Sequence, residues 1–343
     1  MNYNWPVIGH ENIKKILQKG LDARNVGHAY LFWGPGKVGK TYLAKLFAQS
    51  LICDNFKKKD LPADAVLPCG KCDSCKQFEH GIYPDVNILE REQKEKTEEL
   101  KANISVDQVR ELIDKINKRA FQNSFKVAII PEAETLGIEA SNSLLKTLEE
   151  PTVQTVIILI AKNKDLILPT VQSRCQIMKF SPIKRDDIFD FLLAKNANRE
   201  EALEYASLAQ GRPTVAIKML NDGDARQKYF EELNTWLDVL PQNIAERFKF
   251  ADKYFKTEPD RDTIIDSFQQ LSVIFRDLLL IKKYQTDLVA HVREKKKLET
   301  LAQKFSEQEL CRSLIEIEKA KKLIRQNVTP KLVLEGLLVN MAI

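Results

Sequence analysis

Gly34-Pro35-Gly36-Lys37-Val38-Gly39-Lys40-Thr41 is the segment of this chain whose residue types and spacing specify a chemistry most sharply. It fits G-x-x-x-x-G-K-S/T, with an apolar run at residues 28–33 before it and an amphipathic stretch at 42–52 after it, the strand-then-helix setting of a phosphate loop. In such a loop the glycines let backbone N–H groups turn inward around phosphates, and the following helix points its positive dipole end at them. Lys40 adds a mobile cation, and the Thr41 hydroxyl is placed to hold magnesium. A plain Gly/Pro turn would need neither Lys40 nor Thr41, so ATP with magnesium is the expected ligand.

Binding does not imply cleavage. A phosphate-loop ATPase carries an acidic residue at the end of a later apolar strand to order magnesium, often with a second to orient the attacking water. The matching strand here is Lys126-Val127-Ala128-Ile129-Ile130, followed by Pro131-Glu132-Ala133-Glu134. Pro131 stands where the magnesium-ordering aspartate is expected, leaving Glu132, and after it Glu134, as the remaining acids. The expectation is a site that holds ATP and cleaves it poorly or not at all.

A second constellation comprises Cys53 and, after fifteen residues, Cys69-x-x-Cys72-x-x-Cys75, the four thiolates of a closed tetrahedral zinc site. An iron–sulfur cluster also uses C-x-x-C-x-x-C, but Glu79 occupies the position of the next cysteine, so zinc is preferred. Pro68, Gly70 and Gly81 make this a turn-rich module, and the metal is expected to be structural, with His80 as a substitute ligand.

The elements that must position these groups follow from periodicity. Apolar runs at 28–33, 127–130 and 156–161 alternate with amphipathic stretches at 42–52 and 140–148, the pattern of a parallel sheet covered by helices. Ala140, Leu144, Leu145 and Leu148 form one helical stripe, stopped by Pro151. The charged stretch 90–101 reads as an exposed segment without function. After Phe180 the pattern is helical throughout. Gly211-Arg212-Pro213 breaks it, and the polar stretch 221–226 reads as a linker. The expected division is a nucleotide-binding α/β domain at 1–180 with a zinc module at 53–80, a small helical domain at 181–224 and an all-helical domain at 225–343.

With 343 residues, 44% hydrophobic and 29% charged, the chain has apolar material for two or three cores. Its 53 basic and 48 acidic residues, net +5, are too balanced to identify a nucleic-acid partner by charge alone. No apolar run approaches the roughly 20 residues of a membrane span. Residues 1–6 lack the start of a secretory signal, so a cytoplasmic location and reduced cysteines are expected.

Taken together, the residues resemble the AAA+ clamp-loader subunits of DNA polymerase III. The resemblance is carried by His28-Ala29-Tyr30-Leu31-Phe32 before the phosphate loop, by Leu144-Leu145-Lys146-Thr147-Leu148-Glu149-Glu150-Pro151, and by Ser173-Arg174-Cys175. Asn327-Val328-Thr329-Pro330-Lys331-Leu332 and Glu335-Gly336-Leu337-Leu338 resemble the final collar helix of that family. The resemblance implies an AAA+ domain, a lid and an oligomerising collar. It implies that Arg174 acts in trans on the ATP of a neighbouring subunit, and that Val7 and Ile8 lie near the adenine. The implied partners are gamma/tau and delta subunits, with the sliding clamp and primed DNA met through the complex. Hydrolysing members carry an arginine where this chain has Thr214. Pro131 and Thr214 therefore both point to a stator rather than a hydrolysing subunit. The alternatives are a hydrolysing gamma-type subunit using Glu132 and Glu134, and a non-enzymatic DNA-binding zinc scaffold. The collar stripe Leu310, Leu314, Ile317 and Leu323 serves either subunit contacts or an internal core.

Overall fold

The computed structural model describes residues 1–58, 65–93, 101–120, 125–257, 259–326 and 328–341. Residues 94–100 of the charged stretch, and Asn327 of the C-terminal motif, lie outside these. The chain divides into two compact units, Met1–Asp187 with Arg212–Thr214, and Ile188–Gly211 with Val215–Ile343.

Seven strands occur among the described residues, all in the first unit: β1 (Asn2–Tyr3), β2 (Ala29–Trp33), β3 (Val66–Leu67), β4 (Val86–Ile88), β5 (Lys126–Ile130), β6 (Thr155–Ala161) and β7 (Gln176–Lys179). Five form one parallel sheet in the order β4-β5-β6-β2-β7, while β1 pairs with β3. The near-continuous apolar runs of β5 and β6 are buried along their whole length, as a parallel sheet covered on both faces demands.

Side chains alternate between those faces. Phe32, Ile129, Ile158 and Ile160 meet Leu43 and Phe47 of the helix Lys40–Ile52. Leu31, Ala128, Ile130, Ile157 and Leu159 meet Leu112 of Val106–Asn117 and Leu144 and Leu148 of Ile138–Glu149. Burying a side chain such as Phe47 completely stabilises the fold by roughly 2 kcal/mol. The helix Ile138–Glu149 contains the expected stripe, although Leu145 is only partly buried.

In the second unit every described element is helical. The 22-residue helix Arg261–Lys282 runs through a core containing Trp236, Phe268 and Phe275. Arg247 is fully buried there and donates to the carbonyls of Leu338 and Met341, each at 3.1 Å, and to that of Leu240. A cation at the C-terminal end of the helix Pro330–Asn340 is favoured by the carbonyls left unpaired there. The carboxylate of buried Asp277 accepts from the Ala290 and His291 N–H groups at 3.0 Å and from His291 Nδ1 at 2.8 Å.

One expectation is corrected, and one open alternative is decided residue by residue. Residues 221–226 are a junction between the helices Pro213–Asn221 and Gly223–Val239, where the Asp222 side chain accepts from Ala225 N–H at 2.9 Å and caps the second helix. A short polar cap resembles a linker in sequence, because the same residue types favour both. The expected collar stripe divides: Leu310 and Ile317 are core and Leu314 is partly buried, whereas Leu323 is exposed. No described helix is long and apolar enough to cross a membrane.

Candidate functional site

The phosphate loop leaves the C-terminal end of β2, at the sheet edge where doubly wound folds bind ligands. Gly34 has φ 143°, and a Cβ there would lie 2.1 Å from the Phe180 carbonyl oxygen, so only glycine passes. Gly39, at φ 100°, is the N-cap of Lys40–Ile52. Pro35 and Lys37 are exposed, Gly36 and Thr41 half-buried, and Val38 buried. Buried Lys40 folds back over the loop and donates to the carbonyls of Gly34 at 2.6 Å and Pro35 at 2.5 Å. Burial lowers its pKa to about 8, Glu134 opposing the fall and Lys162 adding to it.

The N-terminal segment packs against this loop. Val7 is buried, a Cβ on Gly39 would meet its Cγ1 at 3.7 Å, and half-buried Ile8 follows it. Lys14 Nζ donates to the Val7 carbonyl at 3.0 Å, and His10 Nε2 lies 3.0 Å from that of Val38. On the other side, Thr214 N–H donates to the Lys37 carbonyl at 3.2 Å.

Pro131 follows β5, and the two acids beyond it already have partners. Glu132, held at φ 51°, meets Arg91 at 2.7 Å and Lys162 at 3.0 Å. Burial raises its pKa, but the two cations outweigh burial and hold the carboxyl below its usual range. Both Glu134 oxygens accept from the Lys162 N–H, at 3.2 and 3.3 Å. Sequence reading missed Arg91 and Lys162, and dismissed the stretch containing Arg91 as functionless. The signal available in the sequence was that Lys162 directly follows the apolar run 156–161.

Arg174 sits after the helix Pro169–Gln172. Its Nε donates to Glu149 Oε1 at 2.8 Å, Nη2 bears on the same oxygen, and Nη1 donates to the Thr170 carbonyl at 2.8 Å. Its side chain is about one-third exposed at 32%, and all three guanidinium nitrogens have partners on this chain.

The sulfurs of Cys53, Cys69, Cys72 and Cys75 lie within 4.8 Å of one another. Thiolates in a tetrahedral zinc site with Zn–S bonds of about 2.3 Å are about 3.8 Å apart, so this donor set fits one zinc ion. The Cys69 and Cys72 sulfurs accept from the N–H groups of Cys72 and Cys75, both at 3.4 Å. A hydrogen bond from the Cys75 thiol holds the Cys53 thiol below its ordinary range and raises Cys75 in return. His80 is not among the grouped ligands. Cys53 ends the phosphate-loop helix, so a metal here would tie the 65–80 module to that helix.

Sheet order, phosphate loop and helical second unit define a phosphate-loop α/β protein of the AAA+ type. Residues 9–184, just over half the chain, match the family model described as "DNA polymerase III, delta subunit". The chain is 30% identical over 255 residues to DNA polymerase III subunit delta' of Haemophilus influenzae, covering 72% of each protein. It is 26% identical over 329 residues to subunit delta' of Bacillus subtilis, covering 95% of this chain and 94% of that one. Subunit tau of Bacillus subtilis is 30% identical over 335 residues, 91% of this chain and 55% of that protein. The chain belongs to the delta-prime family of DNA polymerase III clamp-loader subunits.

Proposed function

We propose that this chain is the stator of a bacterial DNA polymerase III clamp loader. It assembles with gamma/tau and delta subunits, donates Arg174 in trans to the nucleotide of a neighbour, and so assists ATP-dependent placement of a sliding clamp on primed DNA. Its own phosphate-loop site holds a nucleotide through Gly34–Thr41 backbone groups and Lys40, with Val7 and Ile8 beside the base, and contributes little or no hydrolysis. The observation that carries this reading is the end of β5: Pro131 replaces the acid, and Glu132 is engaged by Arg91 and Lys162. A carboxylate held by two guanidinium nitrogens, as Glu132 is by Arg91, is a poor base and a poor metal ligand.

Zinc at Cys53, Cys69, Cys72 and Cys75 is structural in this reading, since four thiolates leave no open coordination position. The region 1–180 is the AAA+ domain, 181–224 the lid and 225–343 the collar, where exposed Leu323, Leu332 and Val339 supply apolar contacts to neighbouring subunits.

The test is reconstitution. The purified chain, mixed with gamma/tau and delta subunits of its own organism, should co-elute with them in one complex that loads clamp onto primed DNA. Alone it should show no ATP turnover above background. Turnover by the isolated chain matching that of the complex per subunit would replace this reading with a hydrolysing gamma-type one.

A further inference from the structure

The cationic partner of Glu132 has a second destination. Ala161, the last residue of β6, is in register with Trp33, the last residue of β2, and Gly34 N–H donates to the Ala161 carbonyl at 3.2 Å. Lys162 therefore leaves the sheet directly beside the phosphate loop. A Cβ on Gly36 would lie 4.0 Å from Lys162 Cε. The Lys162 side chain is 57% exposed, so its ammonium can leave Glu132 by rotation about its own stem. Glu132 then keeps Arg91, with Nη2 at 2.7 Å and Nε at 3.0 Å, and is not left unpaired.

Acidity and basicity are thus redistributed at this sheet edge. The position that would order magnesium is Pro131, Glu134 is taken by a backbone N–H, and two lysines flank one loop. Lysine is a point-charge phosphate binder, needing only reach and an unshielded ammonium.

We propose that Lys162 is a phosphate-binding residue that takes the place of magnesium, so that this chain binds nucleoside di- and triphosphates without a divalent cation. The inference rests on the nucleotide-holding reading above and deepens it. Lys40 and Lys162 contact the outer phosphates from two sides, and Lys162 exchanges Glu132 for the nucleotide on binding. A site neutralised by lysines retains the ligand without ordering an attacking water, which is what a stator needs.

The experiment titrates the full chain with N-methylanthraniloyl-ATP and N-methylanthraniloyl-ADP, in EDTA and in excess magnesium, for wild type, Lys162→Met, Lys162→Arg and Lys40→Ala. Wild-type affinity is expected to agree within about threefold between the two buffers. Lys162→Met should weaken binding in EDTA by about tenfold or more and acquire a dependence on magnesium, while Lys162→Arg stays near wild type. Unchanged melting temperatures confirm that the variants fold. Wild-type binding that tightens about tenfold with magnesium, or Lys162→Met binding as well as wild type in EDTA, overturns the role of Lys162 while leaving a nucleotide site that Lys40→Ala abolishes. No binding by wild type in either buffer overturns the nucleotide reading itself, and this inference with it.

Discussion

Arg174 and Glu149 are joined through a single carboxylate oxygen, which receives both the guanidinium Nε, at 2.8 Å, and Nη2. Glu149 is the last residue of the helix Ile138–Glu149, so the residue proposed to act on a neighbour is parked on its own chain. Partly exposed pairs of this kind contribute no more than about 1 kcal/mol, little enough for a triphosphate to displace the carboxylate. Glu149→Gln is therefore predicted to leave hydrolysis by the assembled loader at or above the wild-type rate. A fall as deep as that caused by losing the arginine would mean that Glu149 is required to position it.

The cysteine cluster predicts one zinc per chain by elemental analysis of the purified protein. Cys75→Ser should lose that zinc and lower the melting temperature by about 5 °C or more, a loss of roughly 2 kcal/mol. Iron in place of zinc, or a metal-free protein with unchanged melting, would contradict the assignment.

Lys40 predicts a pH dependence. Its folded pKa, about 8 through burial, lies below the ordinary value of 10.5, so the unfolded chain binds more protons across that window. Its contribution to stability thus rises as pH climbs from about 8 to 10.5. Nucleotide binding runs the other way, because phosphate favours the charged ammonium. Affinity should fall as pH rises above 8, and calorimetry in buffers of different ionisation enthalpy should show proton uptake on binding near that pH. An affinity constant from pH 7 to 9.5, with no proton uptake, would mean that Lys40 is not the group that titrates.

Arg247 predicts a large stability effect within the second unit. Arg247→Met leaves the Leu240, Leu338 and Met341 carbonyls without their buried donor, at a cost on the order of 3 kcal/mol. Thermal melting should show it, whereas nucleotide binding should be unchanged. Melting equal to wild type would mean that water or a neighbouring group replaces the guanidinium.

Much of the first unit was legible because its signals are local. The buried runs of β5 and β6, the Gly34–Thr41 loop and the cysteine spacings need no knowledge of the rest of the chain. The short strands β1, β3 and β4 were not foreseen, since two or three residues carry no period. Arg91 and Lys162 were missed for a different reason. They lie 41 and 30 residues from Glu132 and meet it only because β4, β5 and β6 are neighbours in the sheet. Pro131 shows in sequence that an acid is missing, but only the fold shows what its neighbours do instead.

The most direct test of the account is DNA-stimulated ATP hydrolysis by the reconstituted clamp loader carrying wild type, Arg174→Ala or Lys40→Ala. The account predicts a loss of about tenfold or more for Arg174→Ala and little change for Lys40→Ala. Loss with Lys40→Ala and none with Arg174→Ala would contradict it, and would make this chain a hydrolysing subunit in its own right.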